Sequence, residues 1–114
     1  MSEAQEMLMQ IEQRYVQTQQ QLQSVKAQIA GGKREIQLAD ATKRELQQEN
    51  PPHVWETVGK MFIKTGLQDH LNKIDQDKKS VQESLDALDK KQTYLETTNK
   101  NLTDTVNELM KRNQ

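Results

Sequence analysis

The sequence contains no cysteine, only two prolines, four glycines and four aromatic residues among its 114 positions. The absence of cysteine removes disulfides and thiolate metal sites, and it suits a reducing compartment. Long apolar runs are missing too, so no segment approaches the 18 or so residues that would cross a bilayer as a helix. The opening residues MSEAQEM carry neither an apolar run nor a cationic start, and the expected location is the cytoplasm, with the nucleus as a further address. Charge of one sign is also lacking. Sixteen basic residues balance 17 acidic ones for a net charge of -1, which leaves no basic stripe for nucleic acid and no polybasic segment for an anionic membrane. Apolar residues make up 32% of the chain and the mean hydropathy is -1.02, too polar for a large globular core.

What the chain does have is apolar periodicity, which separates it from a disordered polymer of similar composition. In the Gln-rich first half, Leu8, Ile11, Tyr15, Thr18, Leu22, Val25, Ile29, Gly32, Ile36, Ala39 and Leu46 recur at alternating steps of three and four, with Lys43 as the one break. That is a heptad seam. Asn50-Pro51-Pro52 ends it, because proline lacks the amide hydrogen and pushes the preceding residue out of the helical region. A second seam runs from Leu67 through Leu71, Ile74, Lys78, Val81, Leu85, Leu88, Gln92, Leu95, Asn99, Leu102, Val106 and Leu109. Its start carries Thr65-x-x-Gln68, a capping-box pattern.

The two seams match each other as an antiparallel hairpin. Ile36 then faces Val81, Ile29 faces Leu88, Leu22 faces Leu95, Tyr15 faces Leu102 and Leu8 faces Leu109, and every pair is centred on Val58-Gly59. Each arm of about 45 residues would reach roughly 65 to 70 Å at 1.5 Å per residue. Polar layers (Thr18 with Asn99, Val25 with Gln92, Ala39 with Lys78) are expected to specify register at some cost in stability. Gly31-Gly32, at about 1 kcal/mol per glycine relative to alanine, marks a joint or kink in the first arm.

The turning point is the most apolar part of the molecule. Between Pro52 and Thr65 the helical period gives way to β-favouring residues, among them Val54, Trp55, Thr57, Val58, Phe62 and Ile63, the only Trp and the only Phe included. Gly59-Lys60 suits a two-residue type II′ turn with glycine first. The boundaries predicted are helix 4–49, hairpin linker 50–65 and helix 66–112. A lone two-stranded hairpin is marginal in water, so its apolar residues need cover. Either Trp55 and Phe62 fold back to cap the coiled coil, or hairpins of several chains pair edge to edge in a shared sheet or barrel. The second reading is preferred, and its interface would be Val54, Trp55, Val58, Gly59, Met61, Phe62 and Ile63.

No chemistry-bearing constellation stands out. His53 and His70 lack companions at metal-ligand spacing, and both read as solvated. No glycine-rich phosphate loop exists, and the plentiful carboxylates pair with lysines at helical spacing. No catalytic, cofactor or metal residue is assigned, and no enzyme activity is expected. At the free ends, Met1, Met7, Leu8, Met9 and Ile11 meet Leu102, Val106, Leu109 and Met110. Met7, Met9 and Met110 fall outside the seam, where soft methionine side chains suit varied contacts.

At the level of sequence the chain resembles a prefoldin subunit of the β class. The layout of two long arms joined by one hairpin extends over nearly the whole chain, while the specific similarity lies in Trp55-Glu56-Thr57-Val58-Gly59-Lys60-Met61-Phe62-Ile63. The Gln-rich arms and Gly31-Gly32 depart from the family in detail. The resemblance implies a mostly α fold: a long antiparallel two-helix coiled coil joined by one short β-hairpin that contributes to an intersubunit β-barrel. It further implies a hetero-hexamer with other α-class and β-class subunits. Such an assembly is an ATP-independent co-chaperone that holds unfolded actin and tubulin at its arm tips and passes them to the cytosolic chaperonin. On this chain the tips would be Met7, Met9, Ile11, Val106 and Met110. The alternative is a coiled-coil scaffold or tether that acts only through dimerisation.

Overall fold

The computed structural model describes residues 2–112, so Met1, which the sequence places in the apolar tip, lies outside the described residues. The order is α1 (Glu3–Glu49), β1 (His53–Val58), β2 (Met61–Gly66) and α2 (Leu67–Arg112). A capping box that sequence reading overlooked starts α1. The Gln5 amide donates to Ser2 Oγ and the Ser2 amide donates to Gln5 Oε1, both at 3.2 Å, so each satisfies a donor that the first helical turn leaves free. At the far end, Asn50 adopts a left-handed φ of 48°. Its amide donates to the Leu46 carbonyl at 2.8 Å, an αL cap that turns the chain into Pro51-Pro52.

The capping box expected at Thr65 does not form. Thr65 pairs with Val54 in the β ladder, and the Gln68 side chain donates forward to Asn72 at 3.0 Å. The strand continues to Gly66, and the first amide of α2, that of Leu67, donates instead to the Pro52 carbonyl at 3.3 Å. The base of the hairpin thus supplies the cap that a side chain was expected to give.

The chain packs as two units. In the unit of Met1–Ile29 with Ala87–Gln114, Leu22, Val25 and Leu95 form the buried core, with Ile29 and Leu88 packed against it. The antiparallel register centred on Val58-Gly59 places these residues together. Thr18 and Asn99 are buried in the same unit. The Thr18 hydroxyl donates to its own helix at Arg14 O, 2.8 Å away, and both polar atoms of the Asn99 amide are left without a protein partner.

In the unit Ala30–Asp86, Leu71 and Leu85 are buried. The helix runs unbroken through Gly31-Gly32, and the two glycines differ. A β-carbon on Gly32 would stand 2.7 Å from Leu85 Cδ2, whereas one on Gly31 would meet nothing within 4 Å. Lys43 and Lys78, the two lysines on the seams, form reciprocal ion pairs. Lys43 Nζ donates to both oxygens of Asp75 at 2.8 and 3.0 Å, and Lys78 pairs with Asp40. Both ammonium groups thus reach a carboxylate on the neighbouring helix.

Candidate functional site

The hairpin folds as its residues dictate. Glycine tolerates positive φ without a steric penalty, and Gly59 has φ of 62° while Lys60 does not enter that region. One positive φ, at the first central position, is the signature of the type II′ turn. The turn sets the register of β1 and β2, from Val58 opposite Met61 to His53 opposite Gly66.

Alternation along strands then sorts the side chains onto two faces. Trp55, Thr57, Phe62 and Lys64 share one, with Trp55 and Phe62 as diagonal neighbours. Val54, Glu56, Val58, Met61, Ile63 and Thr65 share the other. The seven residues proposed from sequence as one patch therefore divide, with Trp55 and Phe62 on the first face, Val54, Val58, Met61 and Ile63 on the second, and Gly59 in the turn. Trp55 is 67% exposed and Phe62 70% exposed, so neither folds back as a cap on the helices. Val58, Met61 and Ile63 are also exposed, and Val54 is half-buried near the base.

Glu56 is the exception on the second face. Its side chain is 13% exposed, and both carboxylate oxygens are taken. Oε1 lies 2.7 Å from His70 Nδ1, and Oε2 accepts from Lys73 Nζ at 2.7 Å. An ionised carboxylate only accepts, so Nδ1 of His70 carries the proton in this contact. The hydrogen bond from Lys73 and then that from His70 hold the Glu56 carboxyl down, from an ordinary 4.5 to about 2, against a smaller opposing effect of burial. His70 is consequently not the solvated side chain expected from sequence. His53 is exposed at the start of β1, opposite Gly66.

At the ends of the helices, an open apolar groove of about 370 Å³ lies between α1 and α2, lined by Leu8, Ile11, Glu12, Tyr15, Leu102, Thr103 and Val106. Of the residues proposed for the tip, Ile11 and Val106 share this groove. Met9 instead lines a shallow hollow with Val16 on the outer face of α1, and Met7 and Met110 are exposed. Tyr15, taken from sequence as an ordinary seam residue, is 37% exposed and accepts a hydrogen bond from Gln19.

Among the described residues no three His, Cys, Asp or Glu side chains converge as a metal site would require, and no helix is long and apolar enough to cross a membrane.

A protein-family model described as "Prefoldin subunit" matches residues 9–113. The chain belongs to the prefoldin subunit family. The probable prefoldin subunit 1 of Schizosaccharomyces pombe is 38% identical over 93 residues, covering 81% of this chain and 83% of its own. Prefoldin subunit 1 of Saccharomyces cerevisiae is 34% identical over 91 residues, covering 80% of this chain and 84% of its own. Among solved structures, the crystal structure of the prefoldin beta subunit from Thermococcus strain KS-1 superposes with a TM-score of 0.79 at 23% identity and covers 90% of both chains. The element order of this prefoldin chain, helix, hairpin, helix, is therefore that of a solved prefoldin beta fold.

Proposed function

We propose that this prefoldin-family chain is a subunit of an ATP-independent co-chaperone, joined to other α-class and β-class prefoldin subunits in a hetero-hexamer through its hairpin. The observation that carries this reading is the exposure of Trp55 and Phe62, 67% and 70%, on a sheet of two strands. Each strand has one outer edge, and burying Phe62 alone would contribute about 1.5 to 3 kcal/mol. Edge pairing with neighbouring hairpins in an intersubunit barrel satisfies the backbone and covers the rings in one step. The interface comprises Val54, Trp55, Val58, Gly59, Met61, Phe62 and Ile63.

Unfolded clients of the actin and tubulin type are held at the helix ends by Met7, Met9, Ile11, Val106 and Met110, and are passed to the cytosolic chaperonin. Several weak apolar contacts on one assembly add through effective concentration, so no nucleotide and no catalytic group is required. The work is done in the cytoplasm or nucleus. Native mass measurement after co-expression with candidate α-class and β-class subunits tests the proposal. A six-chain complex containing this subunit is expected, and a chain that stays a monomer or plain dimer beside them contradicts it.

A further inference from the structure

The base of the hairpin carries one group that neither the apolar surface nor the seam explains. Glu56 stands in the middle of β1, opposite Ile63, as the one acidic side chain of that strand. It reaches the first turns of α2, where His70 and Lys73, three residues apart, present their side chains on one side of the helix. Each takes one carboxylate oxygen at 2.7 Å.

We propose that Glu56, His70 and Lys73 form a latch that fixes the pose of the hairpin on α2 before any partner is bound, and so presents the Trp55–Phe62 face outward. A hairpin of two strands has little stability of its own in water, and outside the strand ladder and the helices its base is tied to α2 by the 3.3 Å backbone contact from Leu67 to Pro52. Contacts at the base alone leave the tilt of the strands on the helix weakly fixed. Two further bonds from a single carboxylate, made to residues one helical turn apart, define a plane and remove that freedom. Glu56 is thus a positioning residue. It lowers the ordering cost that hairpin pairing would otherwise carry, and in this the inference rests on the assembly reading given above.

The chain has no cysteine, so nitroxide labels can be placed through Lys60→Cys in the turn and Gln76→Cys on the exposed surface of α2. In the isolated chain a narrow distance distribution is expected. Glu56→Lys should at least double its width, and adding Lys73→Glu should narrow it again, a rescue that loss of packing would not show. Glu56→Gln, of the same size, provides the same test where the reversed charge costs helicity. Equal widths in all variants overturn the latch.

Uptake into complexes with partner subunits separates the two readings. Slower uptake by Glu56→Lys, restored by Lys73→Glu, supports the latch. Unchanged uptake, with a Trp55→Ser/Phe62→Ser chain excluded, overturns it as an assembly device. If that double variant is taken up normally, the assembly reading fails and takes this role for the latch with it, whatever the label distances show.

Discussion

Leu85 occupies the space that a side chain on Gly32 would need. Its Cδ2 and Cγ lie 2.7 and 3.2 Å from the position of a β-carbon there, while the adjacent Gly31 meets nothing within 4 Å. Of these adjacent glycines in one helix, Gly32 has a steric reason to be glycine and Gly31 has none.

Substitution to alanine should separate them. Gly31→Ala gains helix propensity without a clash and should stabilise the chain by about 1 kcal/mol. Gly32→Ala gains the same propensity but pushes the buried Leu85 out of place, and overpacking of about 1 to 3 kcal/mol outweighs the gain. Thermal unfolding followed by circular dichroism should show the two melting temperatures moving in opposite directions. A rise for both would mean that Leu85 yields freely.

The buried amide of Asn99 has no protein partner for either polar atom, and the Thr18 hydroxyl donates to its own helix at Arg14 O. Asn99→Leu should stabilise the folded chain by about 1 to 2 kcal/mol, since a leucine leaves no orphaned polar group. The expected cost is specificity, because a polar seam residue penalises slipped registers. A higher melting temperature with broadened amide resonances is the anticipated pair of observations. A lower melting temperature would show that the amide contributes more than it costs.

Glu56 supplies a pH dependence of definite sign. Its carboxyl is held near 2 in the folded chain against an ordinary 4.5, so its contribution is complete above about pH 4.5 and is lost as the pH falls toward 2. His70 and Lys73 are the charged or titratable groups bonded to it. The stability difference between the parent chain and Glu56→Gln should be constant from neutral pH to about 4.5 and should close below it. A gap that stays the same down to pH 2 contradicts the assignment.

The heptad steps gave the helices and their pairing, and proline and glycine punctuation gave the bend, because both signals are local and repeat. Lys43 read as a break in the seam and Lys78 as a polar layer that specifies register, since a pattern of residue types does not show that a long stem can reach Asp75 or Asp40 on the other helix. Glu56 carried no signal for a related reason: one acidic residue in an apolar strand has no period, and its partners lie 14 and 17 residues away. Thr65-x-x-Gln68 misled because the strand pairing of Thr65 outcompeted the cap. Ser2-x-x-Gln5 has the same spacing and does cap α1, so the pattern alone does not decide. The two faces of the hairpin follow from the turn once Gly59 is placed.

At the helix ends, Ile11 and Val106 line one groove. Replacing both with serine should leave helicity and assembly largely intact and reduce the capture of a denatured client several-fold, measured as suppression of its aggregation by the assembled complex. Removal of residues 1–11 and 103–114 should have the larger effect. Equal capture by the truncated form would move the client surface elsewhere.

The central claim is that the exposed face of the hairpin joins this chain to its partners, and native mass measurement of the Trp55→Ser/Phe62→Ser double variant co-expressed with α-class and β-class subunits tests it most directly. The account predicts a chain that keeps its two helices but is absent from the six-chain complex. A double variant incorporated as efficiently as the parent would contradict it.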